Sequence, residues 1–151
     1  MSAYEVHRTA VIPAEQATIH ALIDDFHEWT AWSPWEDVDP GMSRSYEGAD
    51  KGVGARYAWS GNRKAGTGTM RITGSAPERV DLVVDFEKPF KASNPTAFIL
   101  KPVAGGTEVT WQMTGEHKGF AALFFRFMSM DKLIGGDFER GLARLAAAAK
   151  D

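Results

Sequence analysis

Between Ser43 and Gly115 apolar and polar residues alternate with a period of two; on either side the apolar spacing lengthens to that of a helix. Val6 to Ile12 reads as a first strand, stopped by Pro13. A helix should start at Pro13 to Glu15, with Ile19, Leu22, Ile23 and Phe26 as its apolar stripe. Trp29 to Pro40 fits neither period. Tyr57 and Trp59, Met70 and Ile72, Val80 to Phe86, and Val109 to Met113 each alternate with polar neighbours, the pattern of antiparallel strands with one face on a core. Turn residues separate these runs at Gly61-Asn62, Gly74 to Pro77, Lys88-Pro89 and Gly105-Gly106. After Gly119 a helical stripe runs from Phe120 through Phe127, Ile134 and Phe138 to Leu145. Gly135-Gly136 interrupts it, which predicts a bend or a lid-like first segment. Strand, helix, several hairpin strands and a long helix make an α+β domain spanning residues 1–151, its sheet curved around the last helix.

Composition narrows the functions. The chain has 151 residues, 44% of them hydrophobic and 25% charged, which are globular values. Its 17 Lys and Arg against 20 Asp and Glu give a net charge of −3 without a basic run, so nucleic acid and anionic membranes are poor partners. With no cysteine there is no disulfide, thiolate metal site or thiol nucleophile. The longest apolar stretch, Phe120 to Phe125, is far short of a membrane span, and Met1 to Thr9 has no signal-peptide core. The expectation is a cytoplasmic protein without stable membrane insertion.

Several candidate sites resolve into structural features. The glycines at 52 and 54 and at 66 and 68 do not complete a phosphate-binding loop, because Tyr57 and Arg71 stand where the third glycine belongs. Asn94-Pro95-Thr96 fails as a glycosylation triplet because of its proline. His20, Asp24 and His27 would share a face of one continuous helix, but a water-facing one, so no metal and no organic cofactor is expected. Asp131 either lies within the apolar stripe as a desolvated general acid or base, or caps a restarting helix; capping is the more frequent role for Asp before an apolar run. It is a weak catalytic candidate.

The aromatic and thioether residues are the strongest signal. Trp59, Phe86, Phe98 and Trp111 share the inward register with Met70 and Met113, and Phe124 and Met128 come from the helical stripe. Tyr57 belongs to the same set. Trp32 and Trp35, held by Ser33-Pro34, should form a core wedge or cavity rim. Large flat rings and flexible thioethers on a concave sheet can pack as a core or line an apolar cavity. These eleven residues are the expected ligand-binding set.

The run Ile12-Pro13-Ala14-Glu15, the Trp29 to Glu36 segment with Asp39-Pro40, Lys88-Pro89-Phe90, Gly106 to Trp111, and Ile134-Gly135-Gly136-Asp137-Phe138 with Gly141-Leu142 together resemble the START-like (SRPBCC) superfamily, in its bacterial polyketide cyclase/dehydrase-type branch. The resemblance covers nearly the whole chain. It implies a helix-grip fold: a seven-stranded antiparallel sheet around a long C-terminal helix, with a cavity between them. It also implies a small hydrophobic or aromatic ligand, such as a lipid, sterol, quinone or polyketide, bound or transported. A cyclase or dehydratase, or a chaperone-activator-like interaction domain, is the alternative. No catalytic residue carries over. The inward strand positions offer few ionisable groups, Asp131, Arg8 and Glu36 being the candidates, which favours binding over acid–base catalysis. An interaction surface would draw on Phe90 and Phe125.

Overall fold

The computed structural model of the protein describes residues 2–35, 41–62, 66–88, 91–117 and 130–150. Among the described residues, one open antiparallel sheet holds β1 (Ser2–Ile12), β2 (Ser43–Gly48), β3 (Ala55–Ser60), β4 (Thr67–Ala76), β5 (Arg79–Lys88), β6 (Ala92–Val103) and β7 (Gly106–His117). The spatial order is β1-β7-β6-β5-β4-β3-β2. Helix α1 (Gln16–Asp24) and a 3-10 turn (Phe26–Ala31) follow β1, and α2 (Met130–Ala149) closes the chain. This is the expected α+β helix-grip arrangement.

Register puts the period-two apolar residues on one concave face. Arg8 lies opposite Trp111, Trp111 opposite Phe98, and Phe98 opposite Val80. One row further along, Val6, Met113, Thr96, Leu82 and Ile72 line up across five strands. Between β4 and β5 the register shifts at Thr67/Gly68 and again at Ile72/Gly74. Such irregularities increase twist and bend a sheet, as one that must wrap a helix requires. Gly74 therefore lies inside β4, and the turn that follows is confined to Pro77-Glu78 rather than starting at Gly74.

Helix α1 buries Ile19 and Ile23 against the sheet. Its last carbonyls, which no intrahelical N–H can reach, are taken up by two indoles of the segment that fitted neither period and by the loop between β2 and β3. Trp32 Nε1 donates to the Leu22 carbonyl at 2.9 Å, Trp29 Nε1 to Ile23 at 2.8 Å, and the Gly52 N–H to Asp24 at 2.9 Å. The Trp29 to Pro34 stretch is thus a built plug, begun by the 3-10 turn that includes Trp29.

Gly135-Gly136 does not interrupt the helix, since α2 is continuous from Met130 to Ala149; the expected lid-like first segment, from Phe120, lies outside the described residues. The first glycine makes room for a neighbour. A Cβ on Gly135 would collide with the Arg8 guanidinium, which reaches under α2 and pairs with Glu139 at 2.8 Å. Gly141 is a second such seat, since its Cβ would lie 2.6 Å from the Trp111 ring and 3.1 Å from Pro34. Close contact between helix and sheet outweighs the propensity cost of about 1 kcal/mol per glycine.

Candidate functional site

The expected ligand residues separate into two groups along the concave face. At the β6–β7 end, Trp111 stacks on Phe138 of α2 with ring centroids 4.2 Å apart and planes 8° apart. Phe98 lies 4.8 Å from Trp111, Trp32 5.7 Å and Trp35 5.4 Å, the last two edge-on. Trp32 and Phe98 are 0% exposed and Trp111 1%. Trp35 is half-buried, and its indole N–H donates to Asp137 of α2 at 3.1 Å. Arg144 donates to the Ser33 carbonyl at 3.3 Å, tying the same plug to the same helix. Met113 is buried in the next row, opposite Val6. These rings fill one another's faces and edges, the geometry of a closed core.

At the β3–β5 end the rings are less covered. Tyr57 stacks near Trp59 at 6.2 Å, Trp59 meets Phe86 edge-on at 5.7 Å, and Tyr46 lies 5.3 Å from Tyr57. Met70, opposite Tyr57 in register, is buried, whereas Trp59, Phe86 and Tyr46 remain half-buried although their strands turn them inward. Trp59 lies across Gly68, where a Cβ would stand 2.6 Å from the indole. Helix α2 packs on β1 and β7, and α1 on β5 and β6.

A polar group absent from the expected set adjoins this second group. Asn94, 1% exposed, sits on the inner face of β6 in a row that runs through Val84, Met70, Tyr57 and Tyr46. Its Nδ2 donates to the Thr114 carbonyl at 3.1 Å and to the Tyr4 hydroxyl. Gly115 lies under that contact, and a Cβ there would overlap both side chains. Burial pushes the Tyr4 phenol above its ordinary value, only partly opposed by the Asn94 hydrogen bond, so it stays protonated at neutral pH. Asn94 and Tyr4 were legible by counting back two residues at a time from Phe98 and Val6, but a run judged only by its apolar members ends before either. Arg44, opposite Trp59, was missed for the same reason.

The remaining candidates are structural or lie elsewhere. His20 and Asp24 do not form a water-facing ligand set. Both are half-buried and hold α1 to β4 through Ser75, whose hydroxyl donates to Asp24 at 2.6 Å and lies 3.3 Å from His20 Nε2. A hydroxyl whose one proton is donated to Asp24 can only accept a hydrogen bond from the imidazole N–H, the reverse of what an activated nucleophile requires. His27 lies beyond the end of α1, stacked on Tyr46 at 4.2 Å and bonded to Asp25 at 2.8 Å. No group of three His, Asp or Glu residues suited to a metal occurs among the described residues. Asp131 falls within α2, but its side chain, like Phe124, Met128, Phe90, Phe125 and Glu36, lies outside the described residues. No helix among the described residues is long and apolar enough to cross a membrane.

A family model described as polyketide cyclase / dehydrase and lipid transport matches residues 3–150. The comparison with curated proteins found no match. Among solved structures, a protein from Chromobacterium violaceum superposes with a TM-score of 0.68 at 17% identity, covering 99% of this chain and 97% of that one. A protein from Nitrosospira multiformis gives 0.68 at 21% identity, with 97% and 96% covered. DynU16, from the dynemicin biosynthetic locus, gives 0.62 at 15% identity over 95% of this chain and 46% of its own. At these identities the likeness is one of fold.

Proposed function

The chain belongs to the polyketide cyclase / dehydrase and lipid transport family, and from that premise we propose that it binds a small apolar or aromatic molecule against the β3–β5 end of the concave face. The observation that carries this reading is the half-buried wall of Trp59 and Phe86 beside Tyr57, turned inward yet not closed over like Trp111. Flat rings of this kind offer a ligand a large contact area at little conformational cost. The polar groups beside the wall favour binding over acid–base chemistry. Tyr4 is held protonated and Asn94 does not ionise; Arg8, at the packed end, is engaged by Glu139.

Titration with naphthoquinones, flavonoid-like aromatics and fatty acids is expected to quench tryptophan fluorescence saturably, with dissociation constants on the order of micromolar. Trp59→Phe should weaken that binding by more than its effect on the urea midpoint accounts for, whereas Trp111→Phe should change stability and leave binding nearly unchanged. A panel in which nothing binds, or in which Trp111→Phe is the damaging change, overturns the assignment.

A further inference from the structure

The Asn94 side chain is a buried amide used on one branch only. Its nitrogen is spent on the Thr114 carbonyl and the Tyr4 hydroxyl, both toward β7 and β1. Its Oδ1, on the opposite branch of the planar group, is turned away from them, is fully shielded from solvent and has no hydrogen-bond partner among the described residues. Flipping the amide does not remove the vacancy, because it would set Oδ1 against the Thr114 carbonyl, two acceptors face to face. A buried amide oxygen without a partner costs about 1–3 kcal/mol, and buried polar atoms left so are few in folded proteins. The position is also a prepared one. Gly115 is bare where Asn94 and Tyr4 meet, so the amide is braced at a fixed height on the concave face. The inner-face row from Asn94 leads through Val84 and Met70 to Tyr57, whose neighbours in the wall are Trp59 and Phe86.

We infer that Asn94 Oδ1 is the polar anchor of the ligand site, and that the ligand presents to it a hydrogen-bond donor, a hydroxyl carried on an aromatic or otherwise apolar body. This rests on the binding reading above and narrows it. An acceptor-only head group, such as the carboxylate of a fatty acid, meets an oxygen that repels it. Because Oδ1 is shielded in this structure, the ligand reaches it by displacing the side chains that cover it; its hydroxyl then satisfies the amide while its apolar body lies toward the aromatic wall. Asn94 acts here as a binding and specificity residue, with Tyr4 and Gly115 as its positioning partners.

Three probes of one shape separate the outcomes: 2-naphthol, 2-methylnaphthalene and 2-naphthoate, measured by equilibrium dialysis at neutral pH. Burial alone favours the methyl compound, which water expels more strongly than the naphthol. The anchor predicts the opposite order, with naphthol bound about tenfold more tightly than methylnaphthalene, the yield of one satisfied hydrogen bond, and naphthoate weakest of the three. Asn94→Leu keeps the volume and removes the acceptor, and it should bring the naphthol preference down to unity or below while methylnaphthalene still binds. Methylnaphthalene binding as tightly as naphthol to the unmodified protein overturns the anchor and leaves the apolar site standing. An unchanged preference in a folded Asn94→Leu protein also overturns it. Failure of all three probes to bind overturns the site itself. Should Asn94→Leu not fold, the ranking on the unmodified protein decides alone.

Discussion

At the β6–β7 end of the concave face Trp111 lies flat on Phe138 and is ringed by Phe98, Trp32 and Trp35; at the β3–β5 end Trp59 meets Phe86 on one side and Tyr57 on the other. The two strand tryptophans, in the same inward register, end differently: Trp111 is 1% exposed and Trp59 half-buried. What differs is the partner layer. The first group has α2 and the Trp29 to Pro34 plug pressed onto it, with Gly141 clearing the way and indole N–H groups finding acceptors in α1 and α2. The second sits on strands bent by two register shifts, over the bare position of Gly68. An aromatic side chain on a concave sheet is therefore core or candidate binding surface according to what approaches it.

Substitutions can break this contrast, and the largest effect is expected at the packed end. Trp111→Ala removes a ring from a closed cluster and should cost about 3–5 kcal/mol in urea unfolding, with Trp59→Ala costing clearly less. Equal losses would mean that the two ends are one core. Next comes the helix seat: Gly141→Ala drives a methyl into Trp111 and Pro34 and should destabilise by about 1–3 kcal/mol despite the better helix propensity. The control lies on the same helix. Among the described residues a Cβ on Gly136 meets nothing nearer than Arg140 Nη1 at 3.9 Å, so Gly136→Ala should stabilise by about 1 kcal/mol, read as a raised melting temperature. If Gly136→Ala destabilises, or Gly141→Ala does not, the close seating of α2 is misassigned.

The smallest expected effect is one of pH. Burial holds the Tyr4 proton to higher pH in the folded chain than in the unfolded one, whose phenol titrates near 10.0. Below that value the group leaves stability unchanged; as pH rises through the raised value the unfolded state loses its proton first, and stability falls. Tyr4→Phe should flatten the decline in melting temperature above about pH 10 relative to the unmodified protein. A steeper decline would place Tyr4 in an environment that welcomes its anion, and the neutral Tyr4–Asn94 pair would be wrong.

Much of the fold was legible because it rests on periods. A two-residue alternation can bury only one face of a sheet, and Ile19, Ile23, Phe138, Leu142 and Leu145 share a helical spacing that needs a surface to cover. The inward direction of Trp59, Phe86, Phe98 and Trp111 follows from the same count. Three features were not legible by period. Gly135 looks like a helix breaker until Arg8, more than a hundred residues away in sequence, is seen beneath it. His20 and Asp24 look solvated until Ser75 of a distant strand bonds to both. Asn94 can be counted onto the inner face of β6, but that its amide oxygen is buried and unpartnered among the described residues emerges only once Tyr4, Thr114 and Gly115 surround it. Local alternation determines which way a side chain points, because that depends on backbone geometry alone; whether it then meets a ring, a guanidinium, a bare glycine or nothing depends on contacts between residues far apart in the chain, and those only the tertiary structure decided.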